Sequence, residues 1–92
     1  MCRNIRVLYN FDPPTTREEV RDAALQYVRK VSGIRAPALQ DAAAFERAVG
    51  EVAASTERLL GELHARTAVR TREGERRKAH ARWERRAPRT AR

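Results

Sequence analysis

Residues 16–33, TREEVRDAALQYVRKVSG, decide the fold of the chain. The stretch begins with a capping box, in which the Thr16 hydroxyl accepts from the Glu19 amide and the Glu19 carboxylate accepts from the Thr16 amide. Gly33 is placed to turn the chain at the helix end. The stretch therefore predicts a helix over about 17–32. Its apolar face, at the spacing of an amphipathic helix, carries Val20, Ala24, Tyr27, Val28 and Val31.

A second apolar seam follows a connection that Pro37 interrupts. Asp41 is suited to cap its start, and the pattern predicts a helix over about 41–64, antiparallel to the first. Because this helix is the longer, either the N-terminal segment or a second copy of the chain has to cover the excess. A homodimer or a protein partner bound through this helix is therefore a hypothesis. The seam, at spacings of four and three, consists of Phe45, Val49, Val52, Thr56, Leu59 and Leu63.

The N-terminal residues alternate like a strand, but no second strand is predicted to pair with them, and an isolated strand is unstable. Prolines at positions 13 and 14 end the alternation. We therefore expect an all-α fold, with residues 1–14 extended over the two helices. The expected anchors are Ile5, Val7 or Leu8, Tyr9 and Phe11.

The net charge of +8 is confined to the end of the chain. Residues 1–63 carry nine basic and nine acidic side chains, whereas residues 64–92 carry eleven basic and three acidic ones. The sequence thus predicts a small helical domain over 1–63 and a basic tail over 64–92. Residues 75–87 are good helix formers with Trp83 as their one large apolar group, so we expect a marginal helix in a flexible tail.

Arginine pairs its donors with phosphate oxygens, and an aromatic ring can stack on an unpaired base. The tail therefore predicts nucleic-acid binding with little sequence preference. A solubilising extension explains the same composition equally well. The candidate contact residues are Arg76, Arg77, Lys78, Arg82, Trp83, Arg85 and Arg86.

Cys2 supports a competing hypothesis. Removal of Met1 would place its thiol beside an α-amine, an arrangement that can serve as nucleophile and base. Arg3 would favour the thiolate and Asn4 could donate to an oxyanion, which makes a thiol-dependent protein or small enzyme an alternative. The simpler interpretation is a thiol packed against the helices or at a frayed end, and a third hypothesis is a structural accessory protein.

Several classes of protein are disfavoured. No apolar run approaches the roughly 18 residues of a membrane span, and one Cys cannot form an internal disulfide. His64 and His80 share no helical face, and no nucleotide-binding or hydrolase motif occurs, so we expect no metal, no cofactor and no established catalytic residue. The absence of a secretory signal predicts a cytoplasmic protein, and the Ala- and Arg-rich composition suggests a bacterial one.

Four blocks carry a resemblance to a known family. They are residues 1–5 (MCRNI), 10–16 (NFDPPTT), 23–33 (AALQYVRKVSG) and 44–49 (AFERAV). In this order and spacing they resemble a family of short bacterial proteins of unknown function (domain-of-unknown-function family 2277), over about residues 1–63. The resemblance implies a small cytoplasmic helical protein and supplies no activity or site residue. It directs attention to residues 1–5 and to the helix end at 29–33.

Overall fold

The structure, a computed structural model, describes residues 5–86 of the chain. Three α-helices, which we number α1 to α3, span Arg17–Ser32, Ala42–Glu62 and Arg72–Arg86, and a single 3-10 turn at Leu39–Asp41 precedes α2. No strand occurs within the described range; one isolated parallel bridge joins Phe11 and Arg70. The all-α prediction is confirmed.

The predicted bounds of α1 are confirmed at both ends. The Thr16 hydroxyl accepts from the Glu19 amide at 3.1 Å, and Glu19 Oε1 accepts from the Thr16 amide at 2.8 Å. Gly33 ends the helix with φ 71°, and its N–H donates to the Arg29 carbonyl at 2.9 Å. Glycine is the residue that adopts this left-handed turn without strain.

The core lies between α1 and α2. Val20, Ala24 and Val28 of α1 are buried, as is Val49 of α2, which is 1% exposed. The helices run antiparallel, since Arg17 at the start of α1 pairs with Glu57 near the end of α2 at 3.6 Å. The half-buried residues packed around this core are Leu25, Phe45, Ala48, Val52 and Ala53.

The apolar seam of α2 is buried over only part of its length. Leu59 and Leu63 are 53% and 46% exposed. They lie beyond Glu57, which already faces Arg17 in the first turn of α1, so α1 offers nothing to cover them. The predicted start at Asp41 is close to the observed one, but its side chain makes no capping hydrogen bond.

The N-terminal segment is anchored by fewer side chains than its alternation predicts. Ile5 and Val7 are exposed, which corrects their expected inward orientation. Leu8, Tyr9 and Phe11 are half-buried, and the Thr15 hydroxyl donates to the Leu8 carbonyl. The backbone at Phe11 forms a bridge with Arg70 rather than with another part of the N-terminal segment. Of the predicted anchors, only those at the end of this segment are therefore held in place.

The third helix projects from the helical hairpin. No Cα of α3 lies within 8 Å of a Cα of α1 or α2 in the part of the chain that the structure describes. The radius of gyration is 16.6 Å, with principal extents of 53 × 37 × 17 Å, whereas a compact domain of this length has a radius of about 12 Å. The basic residues of α3 are therefore displayed away from the core.

Candidate nucleic-acid interface

The turn that precedes α1 is tied to the segment that precedes α3. The Arg70 N–H donates to the Asn10 carbonyl at 2.7 Å, and the Asp12 N–H donates to the Arg70 carbonyl at 2.9 Å. Asn10 adopts a left-handed conformation with φ 65°. Its amide Nδ2 donates to the carbonyls of Thr67 and Ala68 at 3.1 and 3.2 Å. These bonds fix the approach of the chain to α3.

The first residue of α3, Arg72, makes the densest set of contacts in this region. Its Nε and Nη2 donate to the two carboxylate oxygens of Glu19 at 3.1 and 2.9 Å. Nη1 donates to the Pro13 carbonyl at 2.8 Å, and Nη2 also reaches the Pro14 carbonyl at 3.3 Å. The guanidinium carbon lies 5.2 Å from the centre of the Phe11 ring. Such a paired geometry suits arginine and could not be reproduced by lysine.

The Glu19 carboxylate is held in its charged form. The Arg72 guanidinium and, next, the Thr16 amide lower the pKa of Glu19 from 4.5 to about 2, against the opposing effect of partial burial. The same pairing raises the pKa of Arg72. At neutral pH a full ion pair therefore connects the first turns of α1 and α3.

The N-terminus of α3 is capped as well as anchored. The Thr71 hydroxyl accepts from the Gly74 amide at 2.9 Å, and the Thr71 carbonyl accepts from the Glu75 amide at 3.0 Å. A Cβ at Gly74 would lie only 2.9 Å from the Thr71 hydroxyl, so glycine keeps this cap open. Arg70 Nη1 donates to the Tyr9 carbonyl at 2.7 Å, and its Nε lies 3.9 Å from Glu75. The helix consequently begins three residues before the predicted position 75.

We call the contacts of Asn10, Glu19, Arg70 and Arg72 around the start of α3 the anchor. Beyond the anchor, α3 presents a predominantly basic surface. Residues 73–86 carry six basic and three acidic side chains. One of the acidic residues, Glu75, faces Arg70 and lies 3.4 Å from Lys78. The predicted tail contacts all lie on α3 with exposed side chains: Arg76, Arg77, Lys78, Arg82, Trp83, Arg85 and Arg86.

Helical geometry distributes these side chains over two sides of α3. Lys78, Arg82 and Arg85, at spacings of four and three, share one side of the helix. Arg76 and Trp83, seven residues apart, share another. One side of the helix thus carries a stripe of three cations, and another side carries Trp83 and Arg76.

The single tryptophan of the chain is exposed. Trp83 is 60% exposed, and its ring lies nearly parallel to that of His80, with an angle of 20° and 6.0 Å between the ring centres. His80 Nε2 lies 3.4 Å from a Glu84 carboxylate oxygen. The indole therefore rests on its own helix rather than in the core between α1 and α2.

The predicted thiol site lies outside the described residues. Cys2, Arg3 and Asn4 belong to residues 1–4, so their roles stay predictions, as does the division of the chain at residue 63. His64 is exposed. No group of three or more potential metal-ligating side chains occurs within residues 5–86.

The helix end that the family resemblance singles out forms a shallow groove. The Arg29 Nε donates to the Arg35 carbonyl at 3.0 Å across this groove. Its lining residues are Asp22, Gln26, Arg29, Lys30, Gly33 and Arg35. Basic residues outnumber acidic ones there by three to one, but the C-terminal end of α1 opposes the binding of an anion.

Three residues of the anchor are not predicted by the sequence. The pattern around Glu19 indicates only a cap of α1, Arg72 is one of many tail cations, and Asn10 marks only the end of an apolar run. An Asn directly before a Phe-Asp-Pro sequence is a turn signal that could have indicated Asn10. The pairing of Glu19 with Arg72 has no local signal, because 53 residues separate them.

The homodimer or protein partner that the seam of α2 predicts stays a hypothesis. The exposed Leu59 and Leu63 leave the hypothesis of a homodimer or protein partner through the helix between Phe45 and Leu63 open. None of the helices within residues 5–86 is long and apolar enough to cross a membrane.

Comparison with known proteins places the chain against one family model. The model, described as an uncharacterized conserved protein (DUF2277), matches residues 1–78. The matched region extends past the four resembling blocks and includes Asn10, Glu19 and Arg72, together with the first turns of α3. Neither the curated proteins nor the solved structures contain a match to the chain.

Proposed function

We propose that this chain, which belongs to the family of uncharacterized conserved proteins DUF2277, is a non-enzymatic binding protein. Its helix α3 contacts nucleic acid without sequence preference. The observation that carries the proposal is the exposure of the α3 cations on a helix whose Cα atoms all lie more than 8 Å from those of α1 and α2. The proposal places this activity in the cytoplasm.

Charge favours this assignment over binding to an uncharged partner. Exposed Arg and Lys side chains release counterions from a phosphate backbone, and this release dominates non-specific affinity. Residues 1–63 contribute no net charge, so attraction to a polyanion is concentrated on the C-terminal part of the chain.

The anchor at Arg72 supports the same function. A helix tied to the hairpin through Glu19, Pro13 and Pro14 keeps its direction, so its cations do not collapse onto the acidic side chains of α2. Less conformational freedom is then lost on binding than for an unstructured basic tail.

The test is the salt dependence of binding to a 20-base-pair DNA duplex of mixed sequence, followed by fluorescence anisotropy. In the test variant, Lys78→Gln, Arg82→Gln and Arg85→Gln are combined, which removes one cationic stripe with a good helix former. The matched control combines Arg6→Gln, Arg47→Gln and Arg58→Gln, three exposed arginines outside α3.

We expect the test variant to bind at least tenfold more weakly at 50 mM salt. The slope of log K against log salt should fall by about 0.9 for each phosphate that is no longer neutralised, so by about 2 to 3 for three phosphates. The control variant should stay within twofold of the unmodified chain. Equal losses in both variants would overturn the proposal, as would failure of the unmodified chain to bind either this duplex or one of its single strands at 50 mM salt.

A further inference from the structure

The exposed indole on α3 has no structural role in the hairpin core. Trp83 is 60% exposed, although a tryptophan is the side chain whose burial would stabilise a small domain most. Its only described aromatic contact is His80, one turn earlier on the same helix. Loss of this ring would therefore cost the fold little, and the exposed indole offers a flat, apolar surface to a ligand.

His80 holds the indole as a platform. The two rings are nearly parallel, at 20°, with 6.0 Å between their centres. A Glu84 carboxylate oxygen lies 3.4 Å from His80 Nε2. This offset stack restricts the side-chain freedom of Trp83 and leaves most of the indole surface open.

Cations flank this platform at helical spacing. Arg76 lies seven residues before Trp83 on the same side of α3, and Arg86 lies three residues after it. An indole between exposed guanidinium groups combines a stacking surface for a base with partners for the phosphates on either side of that base. Proteins that hold unpaired strands use this combination.

We propose that α3 binds single-stranded nucleic acid in preference to duplex, with an unpaired base stacked on Trp83. This inference rests on the proposed function and names its substrate class. The bases of a duplex are stacked on each other and offer no free face to a side chain, whereas an unpaired base can leave its neighbours and cover the indole. The cations of α3 contact the phosphates of either substrate. The Trp83 indole contacts only an unpaired base, so it contributes to the binding of single strands alone.

The test compares a 20-nucleotide DNA strand of mixed sequence with the duplex that it forms with its complement, at 100 mM salt. Trp83→Leu removes the stacking surface and keeps an apolar side chain that is compatible with a helix. Tyr27→Leu is the matched control, since Tyr27 is another half-exposed aromatic residue, 48% exposed on α1. Trp83→Phe should restore part of the loss through its smaller ring.

We expect the unmodified chain to bind the strand more tightly than the duplex, although the duplex carries twice as many phosphates. Trp83→Leu should weaken strand binding about tenfold, within the range measured for loss of one stacked base. Duplex binding should change less than twofold, and Tyr27→Leu should change neither. Because the chain has one tryptophan, saturation with the strand should also quench its fluorescence.

Failure of this inference is distinguishable from failure of the proposed function. If the duplex binds with the expected salt dependence but Trp83→Leu leaves the strand-to-duplex ratio unchanged, the stacking role is wrong and the electrostatic role stands. If strand binding leaves the fluorescence of Trp83 unchanged at saturation, the stacking role is wrong as well. If neither nucleic acid binds the unmodified chain, both proposals fall.

Discussion

The guanidinium of Arg72 donates hydrogen bonds to both carboxylate oxygens of Glu19, from Nε to Oε2 at 3.1 Å and from Nη2 to Oε1 at 2.9 Å. Oε1 of the same carboxylate accepts from the Thr16 amide at 2.8 Å. One side chain thus completes the cap of α1 and holds the first residue of α3. The direction of the basic helix depends on a residue that belongs to the charge-neutral part of the chain.

The first prediction concerns the pH dependence of this pair. Glu19→Gln should lower the free energy of unfolding at pH 7, because an amide cannot form the ion pair with Arg72. The pKa of Glu19 is about 2 in the folded chain against 4.5 ordinarily, so the unfolded chain binds more protons between these values. The stability due to the Glu19 charge is therefore fully present above about pH 5 and is lost as the pH falls through 2.

Urea unfolding of both chains at pH 7, 4 and 2.5 measures this difference. The gap between the unmodified chain and Glu19→Gln should be largest at pH 7 and should shrink at each lower pH. Glu18→Gln is the control, since it removes the same charge from an exposed neighbour in the same turn. A pH-independent gap, or an equal one for Glu18→Gln, would mean that the pair with Arg72 does not hold in solution.

The second prediction separates the two roles of Asn10, its left-handed backbone and its amide. Asn10→Gly tolerates φ 65° but loses the bonds from Nδ2 to the Thr67 and Ala68 carbonyls. Asn10→Ala loses the same bonds and adds left-handed strain of about 1 kcal/mol. Both variants should be less stable than the unmodified chain, with Asn10→Ala the less stable of the two.

Chemical denaturation of the three chains gives the order. Should Asn10→Ala equal or exceed Asn10→Gly in stability, Asn10 would not occupy the left-handed region in solution. A loss confined to Asn10→Ala would show instead that the side-chain bonds to the segment before α3 contribute nothing.

Local signals predict the helices well and the anchor poorly. The capping box at Thr16 and the turn at Gly33 are each encoded within a few residues, and both ends of α1 are as expected. Spacing also predicts the buried Val20, Ala24 and Val28 of α1, but Tyr27 and Val31 of the same predicted face are 48% and 65% exposed. The seam of α2 does not show where its partner helix ends, so the exposure of Leu59 is not predicted. An apolar period records which side of a helix can be buried, not how far the neighbouring element extends.

The contacts of Arg72 illustrate a different limit. The residue belongs to a run of eleven basic side chains between positions 64 and 92, and composition gives each of them the same solvated role. Its partners Glu19, Pro13 and Pro14 are more than 50 residues away in sequence. The path of the chain after α2 decides which arginine of the basic run pairs with a carboxylate. That path cannot be predicted from a single sequence.

The third prediction concerns where the folded part of the chain ends. A chain that stops at Lys78 retains Arg70 and Arg72 and the residues that the family model matches. A chain that stops at His64 loses the carbonyls that hold the Asn10 amide and the guanidinium that holds Glu19. The chain 1–78 should therefore unfold at a midpoint close to that of the full chain, and 1–64 at a clearly lower one.

Thermal unfolding followed by circular dichroism compares the three chains at equal concentration. If 1–64 is as stable as 1–78, the segment from residue 67 to Arg72 is an appendage whose contacts do not stabilise the hairpin. The predicted boundary at residue 63 would then describe the protein better than an anchored third helix does.

The last prediction turns on two residues of one seam. The spacing in α2 treats Val49 and Leu59 alike, and since Leu is the larger side chain, spacing and size together predict the greater loss for Leu59→Ala. The structure predicts the opposite order, because Val49 is 1% exposed between α1 and α2 while Leu59 is 53% exposed. Val49→Ala should cost about 2 kcal/mol, and Leu59→Ala less than about 1 kcal/mol.

Urea midpoints at two protein concentrations decide between a monomer and the homodimer that the long second helix suggests. In a monomer, Val49→Ala costs more stability than Leu59→Ala, and the urea midpoint of neither variant depends on protein concentration. If Leu59→Ala costs as much as Val49→Ala, and if the midpoint of the unmodified chain rises with concentration, a second copy covers Leu59 and Leu63 in solution. The exposed end of α2 would then be an interface between two copies of the chain.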